Sequence, residues 1–128
     1  RRYALGKEIA NPTAAELSAM ADKYVTSAQL FGNPRGYRDV FTGITSAETV
    51  DRIGSQLRSS ELGRQTLEQM LKHEDVNVRF WAGRHSLTFA TELAISVLEE
   101  IALGGELVAD SAMTALISWR FRKALGLI

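Results

Sequence analysis

The sequence predicts an all-α domain of about six helices, and three observations carry that prediction. Apolar residues recur at spacings of three and four along most of the chain. No stretch alternates apolar and polar residues long enough to suggest a strand. The only two prolines, Pro12 and Pro34, both sit at the edges of helical patterns.

The elements follow in order. Thr13 to Glu16, "TAAE", is a capping box: the threonine hydroxyl takes a free backbone N–H and the glutamate reaches back. Behind it Leu17, Met20, Ala21, Tyr24, Ala28 and Phe31 form one apolar face, and Gly32-Asn33-Pro34 ends the helix. Residues 32–43, "GNPRGYRDVFTG", are the least regular part of the chain. A second capping box, Thr45 to Glu48, opens a short helix on Val50, Ile53 and Leu57. Ser59-Ser60 breaks it and starts a third, expected to turn Leu62, Thr66, Leu67, Met70 and Leu71 inward. Asp75 caps a fourth helix whose inner face is read as Val78, Trp81, Ala82 and His85. A fifth carries Leu93, Ala94, Val97, Leu98 and Ile101 and stops at Gly104-Gly105. A sixth holds Val108, Ala112, Leu116 and Trp119.

At 128 residues the chain has the size of one domain, able to bury a core without staples. One domain over 1–128 is expected, with N-terminal helices in 12–58 and two helical hairpins in 59–123. Fifteen basic residues balance fifteen acidic ones. That neutrality argues against a dedicated nucleic-acid or anionic-membrane binder, although a local basic patch is compatible with it. The absence of cysteine removes disulfides, thiolate metal sites and a cysteine nucleophile, and fits a reducing, cytoplasmic location. No apolar run approaches the roughly 20 residues that span a bilayer. The opening "RRYALGKEIANP" lacks a methionine, as a trimmed or engineered start would, and is too charged for a signal peptide.

Candidate chemistry concentrates in "HEDVNVRFWAGRHSL", residues 73–87. His73 and His85 stand twelve residues apart across a turn and share no face at metal-ligand spacing, so no metal site and no cofactor is expected. His73 is read as a turn residue and His85 as a packing histidine with one partner. Asp75 has a sufficient task as the helix cap, and Glu74-Asp75 suit the positive end of the helix dipole. Glu99, Glu100, Glu106 and Asp110 lack the alternating loop pattern of a calcium site. No Gly-x-Ser-x-Gly elbow or phosphate-binding loop occurs, and no catalytic residue stands out. In "WRFRK", Trp119 to Lys123, the cations complement a helix C-terminus while Trp119 continues the core face.

Shifting the chain by about 30 residues lays Leu67 on Val97, Leu71 on Ile101, Val78 on Val108 and Ala82 on Ala112, an internal echo covering two helices. The stretch "LKHEDVNVRFWAGRHSL" resembles the inner turn and second helix of a HEAT-like repeat, with Val78-Arg79, Ala82 and Leu87 at its signature positions. Residues from about 45 to 120 also resemble a small bacterial HEAT-like family known only as a domain of unknown function. The matching features are Val78 to Ala82, Ala94 to Ala102, Gly104-Gly105 and Trp119. The resemblance implies a HEAT/ARM-like, right-handed stack of helical hairpins, and it implies no activity.

The expected function is therefore a noncatalytic protein-binding module. Small bacterial HEAT-like proteins include immunity proteins that neutralise toxins, so a toxin is one expected partner. The alternatives are a nucleic-acid-binding or DNA-processing HEAT-like protein and a homo-oligomer held by uncapped end faces. In such stacks the second helices line the concave surface. That places a binding strip on Arg79, Gly83 and Ser86 of the fourth helix and Met113 and Arg120 of the sixth, a shallow groove suited to an acidic protein surface. The irregular segment from Gly32 to Gly43 is the second candidate.

Overall fold

The computed structural model describes residues 11–31 and 45–128. They form six α-helices: α1 Ala14–Phe31, α2 Ser46–Arg58, α3 Glu61–Met70, α4 Val76–Ser86, α5 Thr91–Leu103 and α6 Ala109–Ala124. The segment 32–43 lies outside the described residues.

Local chemistry sets the helix starts. Thr13 accepts from Glu16 N at 3.1 Å while its own N–H donates to Glu16 Oε1 at 2.8 Å. Thr45 and Glu48 repeat the arrangement at α2. Ser60 Oγ accepts from Gly63 N, and Asp75 Oδ1 accepts from Asn77 N and Val78 N. Each cap satisfies donors that the first helical turn leaves open, at a typical gain of about 1 kcal/mol. At the far end Gly126 adopts φ +75°, and its N–H and that of Leu127 return to the carbonyls of Lys123 and Arg122. This Schellman turn closes α6.

One core runs through all six helices, from Tyr24 and Ala28 on α1 to Leu116 and Trp119 on α6. Its middle is α4, which packs against α1, α2, α3 and α5. Enclosure on so many sides explains where the core departs from the sequence reading. Phe80, off the expected inner face, is buried, and so are Gly83 and Ser86. Trp81 is 4% exposed, edge-on to both Phe31 and Phe80 at 5.2 Å. Leu62 and Leu93, both expected to point inward, are 37% and 44% exposed. α3 and α5 flank the stack, so one stripe of each suffices to bury it. α6 packs on α5 and stands off from α2 and α4.

Among the described residues no helix is long and apolar enough to cross a membrane.

Candidate functional site

The departure of α6 from α2 and α4 leaves a cleft of about 590 Å³ between them. Pockets for small ligands and peptide side chains generally fall in the range of about 300–1,000 Å³. α2 contributes Asp51 and Arg58, seven residues apart and hence on one face; the end of α4 contributes Arg84 and His85; α6 contributes Ser111, Ser118, Trp119 and Arg122.

A polar bridge runs from buried Tyr24 and His85 to Asp51 at the rim of the cleft. His85 is 2% exposed, with Nδ1 2.8 Å from the Tyr24 hydroxyl and Nε2 2.9 Å from Asp51 Oδ1. One neutral tautomer satisfies every atom: the tyrosine O–H donates to Nδ1, and Nε2–H donates to the carboxylate. The bridge joins α1, α4 and α2. It exists because Gly54, one turn beyond Asp51 on α2, leaves its Cβ space to the imidazole; a Cβ there would overlap Cε1, Nδ1 and Nε2 of His85.

Burial disfavours charge on both rings of the bridge. Burial lowers the His85 pKa, the hydrogen bond and charge of Asp51 oppose that shift, and the Arg58 and Arg84 charges add to it. Tyr24 is raised well above its ordinary value, first by burial and then by the Asp51 carboxylate, with Arg58 opposing. Both imidazole nitrogens are engaged within the protein, so His85 offers no free base to a molecule in the cleft. The one-partner role expected of His85 is thus corrected to two partners.

The cleft is cationic at its edges. Arg84 lies over the Trp81 ring at 5.3 Å and Arg122 over the Trp119 ring at 5.9 Å, contacts that hold a guanidinium without consuming its donors. Among the described residues, Arg58, Arg84 and Arg122 have no carboxylate within ion-pair distance. Asp51 and Asp110 stand at the rim, and Thr88, Ser111, Thr114 and Ser118 supply hydroxyls.

The five residues expected to form a binding strip do not come together. Arg79 Nη1 donates to the carbonyls of His73 and Glu74 at 2.7 and 2.9 Å, stapling its own turn. Gly83 is buried against α5, where a Cβ would lie 3.0 Å from Leu98 Cγ. Ser86 is fully buried, and its hydroxyl has no partner among the described residues. Met113 and Arg120 are exposed on α6 outside the cleft, and Arg120 pairs with Glu99 at 2.8 Å. α4 and α6 both line the cleft, but with other residues than the expected strip: α5 closes the face of α4 at Gly83, and Ser86 is buried. Asp51, Arg58, Arg84 and Arg122 were missed. The i, i+3, i+7 spacing of Asp51, Gly54 and Arg58 on α2 was the available signal.

The chain matches no protein-family model, no curated protein and no solved structure.

Proposed function

We propose that the chain is a noncatalytic binding module that takes an acidic segment of a protein partner into the α2–α4–α6 cleft. The observation that carries this reading is the set of three arginines, Arg58, Arg84 and Arg122, which rim the cleft without carboxylate partners among the described residues. Arginine presents a planar fork of donors that suits carboxylates, and it is favoured at interface anchors. The hydroxyls of α6 add donors and acceptors for a peptide backbone. The internal bonding of His85 supports a noncatalytic role, since no unengaged imidazole lines the cleft.

A HEAT-like arrangement of the hairpins accounts for the same geometry. α1 and α2, α3 and α4, and α5 and α6 are packed pairs, and the second helix of each pair lines the cleft. Repeats of this type use that inner surface for recognition.

The test uses a hexaglutamate peptide as probe, with binding read from tryptophan fluorescence and amide chemical shifts. Arg84→Glu and Arg122→Glu should each weaken binding about tenfold, since one charge-assisted hydrogen bond is worth about 1.5–3 kcal/mol and about 1.4 kcal/mol is a factor of ten. Lys72→Glu, outside the cleft, should leave it unchanged. Equal loss in all three variants, or shifts confined to residues outside the cleft, would remove the basis for the reading. Tighter binding of single-stranded DNA than of the peptide at physiological salt would do the same.

A further inference from the structure

Helix α6 carries three distinct faces. Ala112, Leu116 and Trp119 enter the core, and Ser111, Ser118 and Arg122 face the cleft. The third face is apolar and open: Met113, Ile117 and Phe121, at successive four-residue steps, are 44%, 60% and 64% exposed. Beyond the helix ends, Leu107 and Leu127 are 88% and 66% exposed. Contiguous exposed apolar residues of this kind mark interaction sites, whereas isolated ones do not.

The pattern on this face is symmetric. Met113 and Phe121 flank Ile117 at four residues on either side, and Leu107 and Leu127 flank it at ten. At seven residues the small Ala124 stands opposite Asp110, leaving space for the longer side chain. A two-fold interface requires this property, because residue i must meet residue j while j meets i. A partner of unrelated sequence places no such demand on the chain. Charge runs the complementary way: Glu106 and Asp110 lie at the start of α6, and Arg120 and Lys123 lie at its end. Laid antiparallel, two copies set the acidic end of each helix beside the basic end of the other, and their dipoles oppose favourably.

We propose that the outer face of α6 is a self-association surface, on which a second copy of this chain packs its own α6 antiparallel about a two-fold axis at Ile117. The Met113 side chain of one copy then meets Phe121 of the other, and Leu107 meets Leu127. Sixteen residues give a contact about 24 Å long. Ser118 and Arg122 lie about 100° and 140° around the helix from Ile117, away from the contact, while Asp110 brings one edge of the cleft rim beside it. The proposal does not depend on what the cleft binds.

The chain has no cysteine, which makes its cross-linking unambiguous. Ile117→Cys puts the sole thiol on the axis and should give a disulfide-linked dimer under mild oxidation. Leu103→Cys, equally apolar and 87% exposed but outside the symmetric set, should give little. Met113→Cys mixed with Phe121→Cys should join to each other in preference to themselves, the signature of antiparallel packing. By sedimentation equilibrium the unmodified chain should show a concentration-dependent mass. Ile117→Asp should shift that transition to at least tenfold higher concentration with an unaltered melting temperature, and Arg84→Glu should leave the transition in place. A chain that stays monomeric at several hundred micromolar would overturn the proposal and assign the stripe to another occupant. So would an Ile117→Cys variant that cross-links no faster than Leu103→Cys.

Discussion

Replacing Gly54 by alanine sets two physical effects of opposite sign against each other. Gly54 is interior to α2, and on helix propensity alone alanine should stabilise the protein by about 1 kcal/mol. The tertiary structure predicts the reverse. The added methyl overlaps three atoms of the His85 ring, which is buried and held by hydrogen bonds of 2.8 and 2.9 Å. Forcing extra volume into a packed site costs about 1–3 kcal/mol. Displacing the ring leaves the Tyr24 hydroxyl, at 0% exposure, without its partner, a further cost of about 1–3 kcal/mol. Against the propensity gain, a net loss of about 3 kcal/mol is expected, or a melting temperature lower by roughly 10 °C for a domain of this size. Urea unfolding followed by circular dichroism measures it. His85→Ala supplies the control: it costs stability alone, but in that background Gly54→Ala should be neutral or stabilising, because the methyl then has room. A Gly54→Ala variant at least as stable as the parent would refute the reasoning, as would the same penalty in both backgrounds.

Three further outcomes follow from the same geometry. Because burial holds His85 below its ordinary value near 6.5, the fold favours the neutral ring; its contribution is complete above about pH 6.5 and should be lost as pH falls through the lower folded value. Asp51→Asn keeps an acceptor for Nε2–H but removes the charge that opposes the shift, so stability should change little at pH 8 and fall more steeply with acid; an unchanged pH profile would sever the link to Asp51. Trp81→Ala should cost on the order of 3–5 kcal/mol in chemical denaturation, as for other buried aromatics, and unaltered unfolding would mean the ring is displayed instead. Gly83→Gln should lower the melting temperature, since Leu98 and the α5 backbone leave no room, whereas a surface position would tolerate it.

The helices themselves were legible in the sequence because their determinants are local. Capping boxes at Thr13 and Thr45, the Ser60 and Asp75 caps and the Gly104-Gly105 stop act within four residues, and all four caps form the expected backbone bonds. Three- and four-residue periodicity likewise placed Tyr24, Val50, Leu67, Val78, Trp81 and Trp119 in the core. Periodicity identifies a helix's most apolar stripe; it is silent on how many neighbours the helix has. α4 is enclosed from several sides, so Phe80, Gly83 and Ser86 are buried although they lie off that stripe, and a binding strip drawn through Gly83 and Ser86 had no surface to occupy. The cleft is equally a tertiary product. Asp51, His85 and Tyr24 stand 34 and 61 residues from their partners along the chain, and only the packing of α1 and α2 on α4 brings them within hydrogen-bond distance. The sequence alone decided where α1, α2, α3 and α4 begin, through the caps at Thr13, Thr45, Ser60 and Asp75. The way α6 leans on α5 and away from α2 decided that three arginines far apart in the chain share one cleft, because that outcome depends on interhelical contacts that no local pattern encodes.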